Sequence, residues 1–178
     1  QPVVTGTVHQ ALFAVDFDGA VGIAVGAGGE VQESSDRGAS WKVVTPAPTQ
    51  LALLGVGVSG QQALAVGQTG LVLRRDADGT WRNVDSGTRN RLFAVRLNAA
   101  GAAVAVGAFG TVLVSADGGR QWGSAAPTWS EFAVDGMEPH LYAADMSDDG
   151  VITIAGEFGL ILRSSDGGKT WALLHKGE

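Results

Sequence analysis

The chain has 178 residues, the length of one ordinary domain, and its 45% hydrophobic residues can form a sizeable core, which argues against disorder. Its net charge of −6 argues against general affinity for nucleic acid or anionic lipid, and the lack of cysteine excludes disulfides and thiolate metal sites. No apolar run reaches the roughly 18 residues of a membrane span. The chain begins at Gln1 rather than methionine. We therefore expect a removed leader and an exported protein, periplasmic, extracellular or, in a photosynthetic source, lumenal.

Four copies of one pattern follow each other along the chain, about forty residues apart. Each copy has an apolar triplet that ends in glycine, a second glycine three residues later, and then an acidic turn that ends in tryptophan. The triplets begin at residues 24, 65, 105 and 154. Such a period is typical of repeat architectures, in which each unit buries its apolar faces on its neighbours. We predict a single repeat domain with units at about 8–46, 50–87, 90–127 and 139–177, and an insertion at 123–139 before the fourth unit.

Each unit is predicted to form four short strands. The first strand starts at Leu12, Leu53, Leu92 or Leu141. Glycine turns then separate it from the triplet strand and from a third strand, and the motif tryptophan opens the fourth. No segment has a sustained 3.6-residue periodicity, so almost no helix is expected. Repeated four-stranded sheets predict an all-β fold, either a β-propeller or a propeller arc of four blades.

The acidic turn has a physical basis of its own. Serine and aspartate oxygens accept backbone N–H groups, and glycine allows a left-handed bend. The segment 164–171 resembles a BNR/Asp-box, the hairpin repeat of sialidases and many other propellers. The second unit departs from this pattern, because Arg74 stands where serine is expected and Gly79 comes one place late. The predicted Asp-box residues are Ser34, Asp36, Gly38, Trp41, Asp76, Trp81, Ser115, Asp117, Gly119, Trp122, Ser164, Asp166, Gly168, Thr170 and Trp171.

The wider pattern, over nearly the whole chain, resembles the photosystem II stability/assembly factor family. That resemblance implies a ring of about seven units, and this chain has four. The four units either close on themselves, belong to a larger propeller, or form an arc that covers its open edge strands by forming a homodimer. The resemblance further implies a non-catalytic scaffold or assembly factor that engages a protein partner, such as a membrane complex.

A sialidase-type module that binds or hydrolyses glycans is the alternative function. Such an enzyme needs a tyrosine nucleophile, an acid and an arginine cluster. Tyr142 is the only tyrosine, and it occupies the same register as Phe13, Leu54 and Phe93. This recurrence favours a structural role for Tyr142, so we expect no enzyme activity.

Metal and cofactor binding receive little support from the sequence. The Asp76-x-Asp78-Gly79 segment lacks the carboxylate that a calcium loop needs near its twelfth position, where Gly87 stands. The glycines around Gly26 are not followed by a helix that could bind phosphate. The histidines have no metal-ligand spacing. We therefore predict no cofactor and no metal.

Residues that break the forty-residue period are the candidates for function. The insertion contains Trp129 and Phe132, and Phe109 and Phe158 stand at the tips of two turns between second and third strands. Propeller connectivity places these turns on the same face as the links between units. The four aromatic side chains are therefore expected to form a partner-binding surface. The alternative is that the insertion folds down and buries its own apolar side chains.

Two arginines extend this predicted partner-binding surface. Arg89 and Arg91 lie on the link before the third unit, which belongs to the same face. A solvated charged surface is the alternative interpretation. Separately, Arg96 shares its strand register with Asp16 and Asp145, which predicts polar side chains lining a central channel.

Overall fold

The computed structural model describes residues 10–132 and 137–177. The start of the first predicted unit, residues 8–9, and residues 133–136 of the predicted insertion lie outside these ranges. The described residues form four four-stranded antiparallel sheets, so the predicted all-β propeller-type fold is confirmed. In the same residues, no helix is long and apolar enough to cross a membrane.

The four sheets follow each other along the chain, each with its strands in sequential order. Sheet 1 contains β1 (Leu12–Asp18), β2 (Val21–Gly26), β3 (Val31–Ser34) and β4 (Lys42–Val43). Sheet 2 contains β5 (Leu53–Ser59), β6 (Gln62–Gly67), β7 (Val72–Arg75) and β8 (Trp81–Val84). Sheet 3 contains β9 (Leu92–Leu97), β10 (Ala103–Gly107), β11 (Val112–Ser115) and β12 (Gly123–Ser124). Sheet 4 contains β13 (Leu141–Met146), β14 (Ile152–Gly156), β15 (Ile161–Ser164) and β16 (Ala172–His175). Short 3₁₀ turns lie at Ala27–Gly29, Gln68–Gly70, Trp129–Glu131 and Glu157–Gly159.

Consecutive sheets pack face to face, with their first strands side by side in the order β1, β5, β9, β13. We call the face of a sheet that packs on the next sheet along the chain its leading face, and the opposite face its trailing face. Ile23 and Val25 on the leading face of sheet 1 share a core with Val56 and Val58 on the trailing face of sheet 2. Similar cores lie between sheets 2 and 3 and between sheets 3 and 4. Among the described residues, β13 has no comparable contact with β1, so the sheets form an open arc.

The Asp-box turns fasten the hairpin between the third and fourth strands. In the first unit, the Ser34 hydroxyl accepts the Gly38 N–H at 2.8 Å, and Asp36 accepts the Ser40 N–H at 2.9 Å. The Ser40 hydroxyl donates to the same carboxylate, and these bonds lower the pKa of Asp36 to about 2. The units at Ser115 and Ser164 repeat the serine–glycine bond. Side chains therefore hold these turns closed.

The turn of the second unit is built differently. Arg75, rather than Arg74, occupies the place of the box serine, because it pairs with Ala63 as Ser34 pairs with Gly22. The sequence-based placement of Arg74 is thus wrong by one residue. Arg74 and Arg82 instead form ion pairs with Asp76, and the hydrogen bond from Arg82 is the main cause of the lowered pKa of Asp76.

Candidate functional site

One end of the arc, which we call the turn face, is formed by the turns between second and third strands together with the links that enter each first strand. In every unit, a backbone N–H of the turn donates to the carbonyl just before the first strand. These bonds run from Ala27 to Ala11 at 2.8 Å, Gln68 to Ala52 at 3.1 Å, Ala108 to Arg91 at 2.8 Å and Glu157 to His140 at 2.9 Å. Turns and links therefore lie on the same face of the molecule.

The tips of these four turns share a left-handed backbone conformation. The tip residues are Gly28, Thr69, Phe109 and Phe158, with φ of 62°, 55°, 53° and 60°. For a residue other than glycine, this conformation costs about 1–2 kcal/mol. Phe109 and Phe158 nevertheless expose 60% and 40% of their surface at these strained positions. Exposed aromatic groups that add nothing to the core are typical of a binding surface.

An aromatic cluster, Phe93, Phe109, His140 and Tyr142, surrounds the tip of the third turn. The Phe109 ring meets the His140 ring edge-on, with centroids 4.9 Å apart. The Phe93 and Tyr142 ring centroids are 5.3 Å apart. His140 lies between these two pairs, 6.3 Å from Phe93 and 6.4 Å from Tyr142. The four rings thus form one continuous surface, which joins the turn tip to the first strands of sheets 3 and 4.

A hydrogen bond fixes the orientation of the imidazole in this cluster. The backbone N–H of Phe109 donates to Nδ1 of His140 at 3.0 Å. The imidazole therefore acts as the hydrogen-bond acceptor of this pair. The bond also holds the strained tip in place from a residue 31 positions further along the chain.

Glu157 supports the cluster from the fourth turn. Its carboxylate accepts the backbone N–H of His140 at 2.8 Å and the Tyr142 hydroxyl at 3.4 Å. Partial desolvation of the Tyr142 phenol raises its pKa, and the negative charge of Glu157 raises this pKa further. The phenol therefore stays protonated near neutral pH and acts as a hydrogen-bond donor.

The insertion contributes less to the turn face than the sequence suggested. Trp129 is only 8% exposed, and its indole N–H donates to the Gly110 carbonyl at 3.1 Å. A Cβ atom at Gly110 would lie 2.3 Å from the indole nitrogen, so the missing side chain makes the room that Trp129 occupies. Phe132 is half-buried against the same core. The placement of Trp129 on an exposed partner-binding surface is therefore wrong, and the alternative in which it folds down is the correct one.

Arg89 and Arg91 are both exposed on the link into β9. The ion pairs among the described residues join Arg74 and Arg82 to Asp76 and Arg75 to Glu33, and they include neither Arg89 nor Arg91. Within the described part of the chain, these two positive charges have no ion-pair partner, and they lie on the turn face, on the link that leads to Phe93 of the aromatic cluster.

The three predicted channel residues lie on first strands, which are the innermost strands of the arc. Asp16 accepts the backbone N–H of Val58 at 2.8 Å, and Arg96 donates to the Val56 carbonyl at 3.3 Å. These two side chains therefore tie neighbouring first strands together. Asp145 is exposed on β13.

Sequence reasoning missed His140 and Tyr142 as parts of the site. Tyr142 was assigned a structural role because aromatic or leucine residues recur in its register, but it is 52% exposed. A signal for His140 was present: it directly precedes the leucine of its first strand, as Arg91 does. Its carbonyl anchors the fourth turn, which places His140 on the turn face. Its side chain lies beside the tip of the neighbouring third turn.

The repeated sheets, the Asp-box turns and the stacking of first strands define a protein of the BNR/Asp-box propeller class. The sequence profile of the family described as Photosynthesis system II assembly factor YCF48 matches residues 75–177, more than half of the chain. The chain belongs to this family. A comparison with curated proteins gives no match.

Solved structures show the same fold at low sequence identity. A structure described as YCF48 bound to D1 peptide is 18% identical, with a TM-score of 0.68, over 92% of this chain and 53% of that one. YCF48 from Cyanidioschyzon merolae is 20% identical, with a TM-score of 0.69, over 92% of this chain and 56% of that one. The GH74 xyloglucanase from Xanthomonas campestris is 16% identical, with a TM-score of 0.66, over 90% of this chain and 29% of that one. This chain therefore spans about half the length of the YCF48 structures.

Proposed function

We propose that this chain is a non-catalytic binding protein that holds a polypeptide segment of a membrane-complex subunit against its turn face. The observation that carries the proposal is the aromatic cluster. Phe109 is exposed, strained and fixed by His140, which together favour a surface kept for contact rather than for packing.

The charges of the turn face favour a polypeptide with acidic or carboxylate groups. Arg89 and Arg91 can form charge-assisted hydrogen bonds with such groups, while the rings of Phe109 and Tyr142 offer apolar contact area. Aromatic residues and arginine are the side chains most enriched at the energetic centres of protein interfaces. Arg89 and Arg91 lie on the link into β9, and Phe109 lies at the tip of the turn between β10 and β11. The turn face therefore presents both types of side chain.

The family and one structural neighbour support a particular partner. The neighbour's description names a D1 peptide as its ligand. We take the D1 subunit, or a segment of similar chemistry in another membrane protein, as the partner of this chain. A lumenal or periplasmic location of this chain belongs to the same proposal.

Binding of a fluorescently labelled D1 peptide, followed by anisotropy, tests this proposal. We expect saturable binding that weakens at least tenfold in Phe109→Ala and in the double variant Arg89→Gln/Arg91→Gln. The arginine variant also loses part of the salt dependence of binding, because screening acts on exposed charges. Arg120→Gln is the matched control, since Arg120 is an exposed arginine in an Asp-box turn at the opposite end of the sheets. Equal affinity in all variants, or no binding of the peptide at millimolar chain concentration, would overturn the proposal.

One observation favours the glycan alternative. The Tyr142 hydroxyl lies 3.4 Å from a Glu157 carboxylate oxygen, the kind of pair that a tyrosine nucleophile and its helper acid would form. The raised pKa of Tyr142 opposes this function, because an activated phenol needs a lowered pKa. Turnover of an aryl sialoside that disappears in Tyr142→Phe would establish the glycosidase; we expect no turnover by the native chain.

A further inference from the structure

A cleft of about 690 Å³ lies between sheets 3 and 4, at the Asp-box end of the sheets and away from the turn face. One wall belongs to sheet 3 and includes Ala102, Val114 and Trp122. The other wall belongs to sheet 4 and includes Met146 and Gly167. Ligand sites in proteins typically measure about 300–1,000 Å³, so this cleft has the size of a binding site.

At the interface between sheets 2 and 3, two long side chains occupy the equivalent place. Arg74 is 6% exposed, and its Nε donates to the Gly118 carbonyl, in the Asp-box turn of sheet 3, at 2.9 Å. The side-chain oxygen of Gln62 would lie 3.4 Å from a Cβ atom built at Gly118. Gly118 is buried as a result. Side chains of sheet 2 thus cover the Asp-box turn of the next sheet.

The interface between sheets 3 and 4 has short side chains at both of these positions. Val114 occupies the register of Arg74, and Ala102 occupies the register of Gln62. Neither valine nor alanine can reach across to the next sheet or form a side-chain hydrogen bond. The cleft therefore lies where an arginine and a glutamine are found one interface earlier.

The Asp-box turn of sheet 4 is uncovered at this place. Gly167 corresponds to Gly118, since each stands three residues after its Asp-box serine. Gly167 is exposed, and no described atom lies within 4 Å of a Cβ built at this position. Among residues 10–132 and 137–177, no hydrogen bond reaches the Gly167 carbonyl. A backbone acceptor that binds a guanidinium in one interface is therefore open in the next.

The charged side chains that line the cleft are all acidic. They are Asp117, Asp149 and Asp166. Hydrogen bonds from neighbouring hydroxyl and backbone N–H groups lower the pKa of all three. The three carboxylates are therefore ionised at neutral pH. A cleft lined by charges of one sign concentrates the opposite charge, so this cleft attracts cations.

The remaining walls are apolar. Ile152 is fully buried, Val114 and Met146 are half-buried, and Asp149 and Asp166 are exposed at the rim. A side chain with an aliphatic stem and a charged end matches such a combination of surfaces. The planar guanidinium of arginine offers several donors at once.

Arg74 provides an example within the molecule. Its guanidinium binds a backbone carbonyl at Gly118 and a carboxylate at Asp76 at the same time. Gly167 and the acidic rim present the same two kinds of acceptor in the cleft. The cleft therefore has the chemistry of an arginine site from which the chain's own arginine is missing.

We propose that the cleft between sheets 3 and 4 is a second binding site, which takes an arginine side chain of a partner polypeptide. The guanidinium donates to the Gly167 carbonyl and to the carboxylates of the rim, and the aliphatic stem packs on Met146 and Ile152. A polypeptide is the occupant because the apolar walls, which include Trp122, offer contact area to the residues beside the arginine. The site lies at the opposite end of the sheets from the turn face, so both can be occupied together.

A peptide titration followed by ¹⁵N–¹H NMR of the 178-residue chain tests this site. The probe is acetyl-Leu-Arg-Leu-amide, and the matched ligand carries citrulline, the uncharged isostere, in place of arginine. We expect saturable shift changes at the backbone N–H of Gly150 and Gly167 and at the indole N–H of Trp122. The citrulline peptide is expected to bind about tenfold more weakly. Equal affinity for the two peptides, or shift changes confined to the turn face, would overturn the proposal. Methylguanidinium that binds as tightly as the peptide would overturn the assignment of a polypeptide.

Two variants change the cleft in different ways. Asp149→Asn removes one charge of the rim and is expected to weaken binding of the arginine peptide about fivefold. Val114→Arg places an arginine of the chain itself in the register of Arg74 and is expected to abolish binding. Asp78→Asn is the matched control, because it removes the same charge from an exposed turn at the same end of sheet 2.

The spread of the NMR signals verifies that each variant is folded, and Asp149→Asn tests the site independently of Val114→Arg. Native affinity in Asp149→Asn contradicts the proposal. An equal loss in Asp149→Asn and Asp78→Asn also contradicts it, because binding would then follow only the overall charge of the chain. Phe109→Ala is expected to keep native affinity for the arginine peptide, which separates this site from the turn face.

Discussion

Replacement of Trp129 by alanine tests the finding that the insertion is anchored in the core. The side chain is 8% exposed, packs with the core between sheets 3 and 4, and donates one hydrogen bond to Gly110. Truncation of a buried tryptophan costs about 3–5 kcal/mol of unfolding free energy. About 1 kcal/mol of this loss comes from the hydrogen bond. Trp129→Phe keeps most of the apolar area but leaves the Gly110 carbonyl without its donor, so we expect a loss of about 1–2 kcal/mol.

Urea unfolding followed by circular dichroism measures both losses. With a denaturant slope of about 2 kcal/mol per M, a loss of about 4 kcal/mol lowers the midpoint by about 2 M. Phe109→Ala is the control, because Phe109 is 60% exposed and its removal is expected to cost less than about 1 kcal/mol. Equal, small losses in Trp129→Ala and Phe109→Ala would refute the reasoning, because they would mean that Trp129 is not held in the core.

Three further predictions concern the Asp-box turns and the contacts between neighbouring sheets. Hydrogen bonds from Ser40 hold the pKa of Asp36 at about 2, below its ordinary value of 3.8. The stabilisation from this carboxylate is therefore complete above about pH 4 and is lost as the pH falls toward 2. The urea midpoint of the native chain should fall over this pH range, and in Asp36→Asn this part of the pH dependence should be flatter. Glu33 is desolvated, which raises its pKa, but hydrogen bonds from Arg75 and Trp81 outweigh this and lower it. Glu33→Gln should cost about 1–3 kcal/mol in urea unfolding, and an unchanged midpoint would contradict its role in joining sheets 1 and 2. In thermal unfolding, Gly119→Ala should cost more than Gly167→Ala. Both glycines have positive φ, but only at Gly119 does a Cβ meet the neighbouring sheet, at 2.4 Å.

The forty-residue period predicted the strand order because every unit repeats the same local pattern. Strand pairing in each sheet needs only short turns, and the glycines that permit them stand at fixed places in the sequence. The second Asp-box shows where this reasoning ends. Its turn is one residue shorter, so counting back from Asp76 selects Arg74, whereas backbone pairing with Ala63 selects Arg75. The choice between Arg74 and Arg75 depends on the hydrogen bonds between β6 and β7. An ungapped alignment of the repeats carries no information about these bonds.

The aromatic cluster was predicted only in part for a related reason. Phe109 and Phe158 follow from their positions at turn tips, which the repeat defines. The bond between Phe109 and His140 joins residues 31 positions apart, and no local pattern specifies it. Trp129 belongs to an insertion without counterparts in the other units. Its burial depends on the space above Gly110, which only the packed structure reveals.

The way in which the turns are fastened separates the molecule into a fixed end and a variable end. Asp-box turns are held by serine and aspartate side chains, so substitutions there loosen the hairpin. Turns of the opposite end are held by main-chain atoms, from Ala27 to Ala11 and in the same way in the other units. The tip side chain takes no part in that bond, and glycine, threonine and phenylalanine all occupy the position with the same backbone shape. Evolution can therefore exchange tip residues one at a time and change what this end recognises, while the strands beneath it keep their pairing.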